Sequence, residues 1–333
     1  MKHSICIASV YFGKLPVYHP FFIDSCSRNP SVDFVLIGDH WELIKSYLPE
    51  NCRTIHLTLE EFNKLSTNML GINIDLVNPY KLCDLKPALG NIFRSIFHEY
   101  DFWGYTDIDL ILGNIRSFFT RELLDVYDVL FVRKEYATGS LFLIRNCGCC
   151  NYLYMNSPDY ESVFADAHKY YDFDECAHEW QQLREGISIF DIKTNIVSFT
   201  QVVKKMEMEM QLRPYFKNIA LEYIPRKQSA VFQNGRIYYN GKEYIIYHFV
   251  RNKMSSFFTF PHWNVIPTNY RITPYGVFEI GEQDSPLYVF FHRRSQIIPC
   301  WKKRLKRAVD LALQNQLFRH IKSYIQYRFA NHT

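Results

Sequence analysis

Residues 78–112 have the sequence NPYKLCDLKPALGNIFRSIFHEYDFWGYTDIDLIL. Within this stretch, residues 86–99 place Leu, Ile and Phe at helical spacing along one stripe, which predicts a helix. Residues 100–112 then form an apolar run that ends at Gly113, which predicts a strand followed by a turn. A helix that leads into a buried strand is typical of open α/β sheets.

Asp107 and Asp109 are the sharpest chemical signal in this stretch. Side chains two positions apart in a strand project from the same face, so the spacing predicts that both carboxylates converge on one cation. Mg²⁺ and Mn²⁺ prefer such oxygen ligands. Two solvated turn aspartates are the alternative, but the apolar flank and the position at a strand end, where open α/β sheets bind ligands, favour a metal site.

The rest of the chain supports an α/β class. Residues 4–11 and 33–37 are short apolar runs that predict strands, and residues 19–28 between them have a helical pattern. Two further strands are predicted at residues 126–132 and 140–144. Residues 236–249 predict a hairpin around Asn240 and Gly241, the preferred type I′ turn pair.

Lys-x-x-Asp-x-Lys-Pro at residues 81–87, followed by Trp-Gly-Tyr-x-Asp-x-Asp at residues 103–109, resembles a bacterial family of capsular and O-antigen polysaccharide glycosyltransferases. The chain is similar to GT-A transferases from about residue 4 to residue 253. The resemblance implies a GT-A, Rossmann-like fold: a mixed, mainly parallel sheet flanked by helices. It also implies metal-dependent transfer of a sugar from a nucleoside diphosphate, most simply UDP, to a glycan or lipid-linked glycan in surface polysaccharide synthesis.

The resemblance also assigns residues to the donor nucleotide-sugar. It places the nucleoside beside Ser9, Tyr11, Phe12 and Asp39, and the ribose, sugar or phosphate beside Lys81, Asp84 and Lys86. An ordinary helix cap is the alternative for Asp84, since Pro87 follows early in the predicted helix. That alternative is weaker for the two lysines, because cations gain nothing at a helix N-terminus.

His248 ends an apolar strand and resembles the late histidine that completes the metal shell in many GT-A enzymes. Arg251 and Lys253 follow it and would offset phosphate charge. Imidazole is an acceptable Mn²⁺ ligand. The alternative is that His248 has a structural role at the strand end and does not bind a metal.

Thr138 and Gly139 resemble the segment that lines the acceptor side, with a plain turn as the alternative. Asp174 and Glu175 are candidates for the base that an inverting transfer needs. They fit equally well as acids at a helix start. Inversion and retention both stay open.

The net charge of +4 is unevenly distributed. Residues 292–333 carry ten Lys or Arg against Asp310 alone, a charge of +9, which leaves −5 for residues 1–291. Residues 301–329 have a helical apolar period and predict a basic amphipathic helix that either contacts an anionic membrane or packs on the domain. We therefore expect a catalytic domain at 1–255, a connecting segment at 256–291 and a helical tail at 292–333. Nothing indicates nucleic-acid binding.

Nine cysteines without a regular framework, no signal-peptide pattern and no apolar run of about 18 residues favour a cytoplasmic setting, with the inner face of the membrane as an option. Cys147, Cys149 and Cys150 lack the spacing of structural zinc sites. Two other functions stay open: a metal-dependent nucleotidyltransferase, although no glycine-rich phosphate loop is present, and a non-catalytic glycan-binding or scaffold protein on a degenerate transferase fold.

Overall fold

The computed structural model describes residues 3–225, 228–253, 255, 258–280, 305, 306 and 309. The strands are β1 (Ile5–Val10), β2 (Asp33–Gly38), β3 (Cys52–His56), β4 (Phe102–Thr106), β5 (Leu110–Leu112), β6 (Val129–Phe131), β7 (Leu141–Arg145), β8 (Pro214–Phe216), β9 (Ala220–Leu221), β10 (Ala230–Gln233), β11 (Arg236–Tyr239), β12 (Lys242–Tyr244), β13 (Ile246–His248), β14 (Asn269–Thr273) and β15 (Gly276–Glu279). The α-helices are α1 (His19–Ser27), α2 (Leu59–Leu70), α3 (Leu89–Ile92), α4 (Arg94–Phe97), α5 (Ile115–Phe118), α6 (Arg121–Val126), α7 (Gly148–Asn151), α8 (Tyr160–Ala165), α9 (Trp180–Arg184) and α10 (Phe199–Met208). Helices of the 3₁₀ type cover Trp41–Tyr47, Pro79–Ala88, Leu153–Asn156 and Phe249–Arg251.

The predicted basic helix of residues 301–329 lies outside the described residues, apart from positions 305, 306 and 309. In the described part of the chain, no helix is both long and apolar enough to cross a bilayer.

The largest sheet has the strand order β3-β2-β1-β4-β7-β6-β8. β7 runs antiparallel to β4 and β6, while the other neighbouring pairs are parallel. All six residues of β1 are buried, as expected for a central strand that is covered on both faces. The predicted α/β class, with a mixed and mainly parallel sheet, is confirmed.

Two hydrophobic cores cover the two faces of this sheet. Along β1, Cys6, Ala8 and Val10 belong to one core, and Ile5 and Ile7 belong to the other. This alternation follows the two-residue period of a strand. Residues of α2, α3, α8 and α10 pack in the first core and residues of α1, α5 and α6 in the second, so helices flank the sheet on both sides.

Two smaller sheets complete the described structure, with the orders β5-β13-β9 and β12-β11-β10-β14-β15. The predicted hairpin is confirmed for β11 and β12, where Tyr239 pairs with Lys242. Its second arm ends earlier than predicted, because Ile246–His248 leaves the hairpin and pairs with β5 instead. β14 and β15 fall in the predicted connecting segment, residues 256–291, and extend the five-stranded sheet.

The continuous helix predicted over residues 86–99 is wrong. The chain forms a 3₁₀ helix through Pro79–Ala88 and then two single turns, α3 and α4. Pro87 lacks the amide proton that a regular α-helix needs, and Phe93 leaves the helical region with φ −106° and ψ 30°.

Lys81 and Asp84 form a buried ion pair one turn apart in the 3₁₀ helix, with 2.7 Å between Lys81 Nζ and Asp84 Oδ2. Both side chains are 0% exposed. Lys81 also donates to the Val163 carbonyl at 2.6 Å, and Asp84 accepts the backbone N–H groups of Tyr171 and Phe173 at 3.0 and 2.8 Å. The pair therefore joins the 3₁₀ helix to α8 and to the segment that follows α8.

We predict that Lys81→Met lowers the free energy of unfolding by about 3–5 kcal/mol, because it leaves the Asp84 carboxylate buried without its cation. Urea denaturation measures the loss. Lys64→Met is the matched control, since Lys64 and Glu60 form an ion pair whose side chains are 69% and 77% exposed. Its denaturation midpoint should not move. Equal midpoints for the two variants would contradict a structural role for the buried pair.

Gly104 lies in β4 between β1 and β7, where a β-carbon would stand 2.4 Å from the Phe142 carbonyl oxygen and 2.6 Å from Leu143 Cδ2. We predict that Gly104→Ala destabilises the protein by roughly 1–3 kcal/mol, because the clash with backbone in a central strand cannot relax easily. Gly148→Ala is the control, since a β-carbon there meets nothing within 4 Å. Thermal unfolding should separate the two variants, and a Gly104→Ala variant as stable as the control would refute the packing argument.

Candidate active site

Four of the predicted segments meet at one edge of the large sheet. Tyr11, Asp39 and Asp107 follow the carboxyl ends of the parallel strands β1, β2 and β4. Gly139 precedes β7, which runs in the opposite direction and so begins at the same edge. The Asp107 backbone N–H donates to the Ser140 carbonyl at 2.9 Å and joins two of these segments.

The two aspartates lie in a break between strands. Residues 107–109 separate β4, in the large sheet, from β5, in the three-stranded sheet. The predicted reason for their convergence, a shared strand face, is therefore wrong. Nevertheless, ligand atoms of Asp107, Asp109 and His248 all lie within 4.8 Å of one another. We call these three residues the metal group.

His248 reaches the aspartates through strand pairing. β13 pairs antiparallel with β5 and sets His248 opposite Leu110. The next backbone N–H, that of Phe249, donates to the Asp109 carbonyl at 2.9 Å.

The Asp109 carboxylate is buried between two cationic groups. Its Oδ2 lies 2.6 Å from Lys253 Nζ and 3.3 Å from His248 Nε2. Burial opposes ionisation, but His248 and Lys253 outweigh it and hold the pKa of Asp109 below its ordinary value. For His248, burial alone would lower the pKa, yet Asp109 and Glu222 raise it to about 10. Glu222 Oε1 lies 3.5 Å from His248 Nδ1, on the far side of the ring.

Lys86 holds the other aspartate. Its Nζ lies 3.1 Å from Asp107 Oδ1 and 2.9 Å from the Gly139 carbonyl, and it sits 4.6 Å from the centre of the Tyr105 ring. Tyr105 also donates to Asp107 Oδ1, at 3.0 Å. Burial would lower the pKa of Lys86, but Asp107 and other nearby groups raise it well above its ordinary value. Lys86 thus joins Asp107 to the turn before β7.

The metal group has the chemistry of a divalent-cation site. Two carboxylates and one imidazole suit Mn²⁺ or Mg²⁺, which take oxygen ligands and, for Mn²⁺, accept nitrogen. Cys147, Cys149 and Cys150 form another such cluster in the described chain, with ligand atoms within 4.8 Å. Their sequence spacing still lacks the paired pattern of structural zinc sites.

The four residues predicted to contact the nucleoside differ in how exposed their side chains are. Tyr11 is half-buried, and the Asp39 side chain is 28% exposed and accepts hydrogen bonds from Gly13 N and His40 Nδ1 at 2.8 Å each. Ser9 is fully buried, and Phe12 packs against Phe62 inside a hydrophobic core. Tyr11 and Asp39 can therefore meet a ligand directly, whereas Ser9 and Phe12 support the edge from beneath.

Lys81 and Asp84 were also expected at the donor, but their side chains have no exposed surface. In this conformation they position the surrounding backbone and do not contact a ligand. Their charges already satisfy each other, which removes the reason to expect a phosphate there.

Gly139 is the point where the acceptor-side segment touches the candidate bases. Its N–H donates to Glu175 Oε1 at 2.8 Å, and a β-carbon on it would stand 2.1 Å from Asp174 Oδ2. Thr138 is buried, and its Oγ1 accepts the Val132 N–H at 3.1 Å. Thr138 therefore shapes the turn, while Gly139 allows the carboxylates to approach.

Asp174 and Glu175 differ in how firmly they are held. Glu175 accepts hydrogen bonds on both oxygens, from Gly139 N and from Trp180 Nε1 at 2.7 Å. Asp174 Oδ2 lies 3.5 Å from Lys86 Nζ, and its Oδ1 accepts a long hydrogen bond of 3.3 Å from Tyr170. Burial, together with Glu175 and Asp172, raises the pKa of Asp174 well above its ordinary value despite Lys86.

Two residues near the site, Glu222 and Tyr80, were not predicted from the sequence. Glu222 follows β9, and only the pairing of β9 with β13 brings it to His248. Tyr80 is 60% exposed and packs edge-on against Tyr170 at 4.9 Å, next to Asp174. The position of Tyr80 directly before the Lys81 motif was a usable signal in the sequence, whereas nothing local marks Glu222.

Arg251 and Lys253 point to different places. Lys253 contacts Asp109, as described above. The Arg251 guanidinium lies over the Tyr223 ring at 5.1 Å and lines a cleft of about 790 Å³ that also includes Glu222. Arg251 therefore lines the same cleft as Glu222, which lies beside His248.

Comparison with solved structures gives remote likenesses. Mouse xyloside xylosyltransferase 1 in its apo form matches with 10% identity and a TM-score of 0.41, covering 76% of this chain and 99% of that one. The galactosyltransferase LgtC, with donor and acceptor sugar analogues, matches with 14% identity and a TM-score of 0.31, covering 51% of this chain and 68% of that one. Likenesses this remote do not identify an activity.

No curated protein matches the sequence. One family model does match, over residues 7–280, and this range includes all three residues of the metal group. The chain belongs to that family, DUF6625, a family of unknown function.

Proposed function

We propose that the protein is a metal-dependent glycosyltransferase that moves a sugar from a nucleoside diphosphate to a glycan hydroxyl. One observation carries the proposal: Asp107, Asp109 and His248 converge within 4.8 Å at the edge where parallel strands end. Ligands of open α/β sheets bind at this edge. UDP as the nucleotide, a lipid-linked acceptor and a role in surface polysaccharide synthesis extend the proposal through the sequence resemblance.

The proposal gives each nearby residue a task. Asp107, Asp109 and His248 hold Mn²⁺ or Mg²⁺, which when bound neutralises charge on the departing diphosphate. Lys86 and Lys253 are the ammonium groups closest to those carboxylates, and we propose that both bind phosphate oxygens. Tyr11 and Asp39 border the nucleoside side.

Tyr80 and Asp174 are proposed for the sugar side. Tyr80 offers an exposed ring beside Tyr170, on which a sugar can pack. If the transfer inverts, Asp174 suits the base better than Glu175, because Glu175 has both oxygens engaged by N–H donors. A base with a raised pKa accepts a hydroxyl proton more readily.

The alternatives make different demands on the site. A nucleotidyltransferase would form a new bond to phosphorus, and a scaffold protein would need no metal at all. Donor binding that depends on metal is the property that separates the transferase from the scaffold.

We also propose a cellular setting for the transferase. A cytoplasmic protein that works at the inner face of the membrane could reach a lipid-linked acceptor, so we propose this setting together with that acceptor.

We predict that a UDP-sugar with Mn²⁺ raises the melting temperature by a few degrees, since saturation at 100 times Kd adds about 2.7 kcal/mol. Asp109→Asn should abolish the shift, because it removes the charge that attracts the cation while keeping the side-chain size. Differential scanning fluorimetry measures both. GDP- and CMP-sugars in parallel wells test the choice of base.

Asp75→Asn is the matched control, because Asp75 is exposed and lies outside the candidate site. It should keep the full shift. A shift that persists without Mn²⁺, or in Asp109→Asn, would sink the metal-dependent assignment. Release of free UDP from the UDP-sugar, with sugar appearing on an acceptor, would exclude the scaffold reading.

We also predict that Lys253→Met separates metal binding from nucleotide binding. The variant should bind Mn²⁺ alone more tightly, because the ammonium 2.6 Å from Asp109 Oδ2 no longer competes for that oxygen. It should bind UDP about tenfold more weakly at saturating Mn²⁺, because one charge-assisted contact to phosphate is lost. Calorimetric titration with Mn²⁺ and then UDP measures both, with Lys64→Met as the control. Two unchanged affinities would show that Lys253 only packs against the aspartate.

A further inference from the structure

A second charged feature lies on the far side of His248 from Asp109. It is the cleft of about 790 Å³ described above, which we call the basic cleft. Its cationic lining residues are Arg133, Arg184, Lys217, Lys242 and Arg251.

The basic cleft begins next to the metal group. Glu222 lines it and lies 3.5 Å from His248 Nδ1, while the other ring nitrogen, Nε2, lies 3.3 Å from Asp109. One imidazole ring therefore separates the cleft from the proposed cation.

The two acids in the lining are already neutralised. Glu222 pairs with Arg133, and Glu243 accepts two hydrogen bonds of 2.9 Å from Arg236, which is outside the lining. Among the described residues, no carboxylate forms an ion pair with the other four cations of the lining. Those four are Arg184, Lys217, Lys242 and Arg251. The five cations of the lining outnumber its two acids, so the cleft has a net positive charge, although Arg184 also acts electrostatically on Glu222.

Aromatic side chains lie between these cations. Tyr223 is 56% exposed and lies beneath the Arg251 guanidinium, and Tyr239 and Tyr244 complete the wall. A guanidinium that lies over an aromatic ring is stabilised by the ring, and its N–H groups can still donate to an anion. Aromatic rings can pack against sugar rings, and the neighbouring cations can bind acidic groups. A carbohydrate that carries acidic groups therefore fits this lining.

We propose that the basic cleft binds a part of the acceptor remote from its reacting hydroxyl, and that this acceptor is an acidic glycan carrying carboxylate or phosphate groups. The inference rests on the proposed transferase function, because it assigns the donor to the opposite side of His248. The donor diphosphate does not need this cleft, since Lys86 and Lys253 already lie beside the metal group. Carboxylate and phosphate offer the same charge and acceptor geometry to arginine and lysine.

The test compares matched oligosaccharides in the absence of nucleotide. Calorimetry at low salt uses an oligogalacturonate, its neutral methyl ester, a neutral oligosaccharide of equal length bearing one phosphate monoester, and inorganic phosphate. We expect the acid or the phosphorylated glycan to bind, the ester to bind at least tenfold more weakly, and added salt to weaken the binding. The better of the two anionic glycans identifies the group that is recognised.

Lys217→Gln with Lys242→Gln is the diagnostic variant, because both lysines are exposed and lie in the cleft. We expect a loss of about tenfold or more in affinity for the acidic glycan. Lys64→Gln with Lys205→Gln removes the same charge from exposed sites outside the cleft and should bind as the parent does. The thermal shift with UDP-sugar and Mn²⁺ should be unchanged in the diagnostic variant.

Other outcomes overturn the proposal. Equal binding of the acid and its ester, no binding of either anionic glycan, or binding of inorganic phosphate as tight as that of the glycans would each do so. A cleft variant that loses UDP affinity and keeps glycan affinity would assign the cleft to the donor. Asp109→Asn should still bind the acidic glycan, so a failed metal test and a failed cleft test give different results.

Discussion

The antiparallel pairing of β5 with β13 is the constraint on which the candidate site depends. It sets His248 opposite Leu110 and joins the Phe249 N–H to the Asp109 carbonyl. Because side chains alternate between faces, a slip of one residue would turn the imidazole away from the carboxylate. The neighbouring Leu110, Ile246 and Tyr247 are fully buried, so a slip would also expose apolar side chains. Packing therefore holds the metal group in register.

Charge balance holds the same site together. Asp107 and Asp109 each lie beside a lysine, Lys86 and Lys253, from a different part of the chain. A buried carboxylate without a partner is costly, so these ammonium groups stabilise the closely spaced acids. They are also the ammonium groups that we propose for phosphate binding. One pair of lysines can thus serve both the folded chain and the proposed donor.

The two ring nitrogens of His248 face chemically different surroundings. On its Nε2 side lies the edge of the large sheet, with acids suited to a divalent cation. On its Nδ1 side, Glu222 leads into the basic cleft formed beside the small sheets. The large sheet alone would provide only the first half. The small sheets add both the third metal-group ligand and the second binding surface.

The sequence by itself determined the α/β class, the positions of β1, β2 and β7, and the choice of Asp107 and Asp109 as candidate metal ligands. Periodicity is a local property, and parallel strands bring their carboxyl ends to one edge whatever the details of packing. Only the tertiary structure decided the break between β4 and β5, the burial of Ser9, Phe12, Lys81 and Asp84, and the place of Glu222. It also decided that Lys253 contacts an aspartate 144 residues earlier in the chain. Such contacts arise from the meeting of distant segments, which no local pattern records.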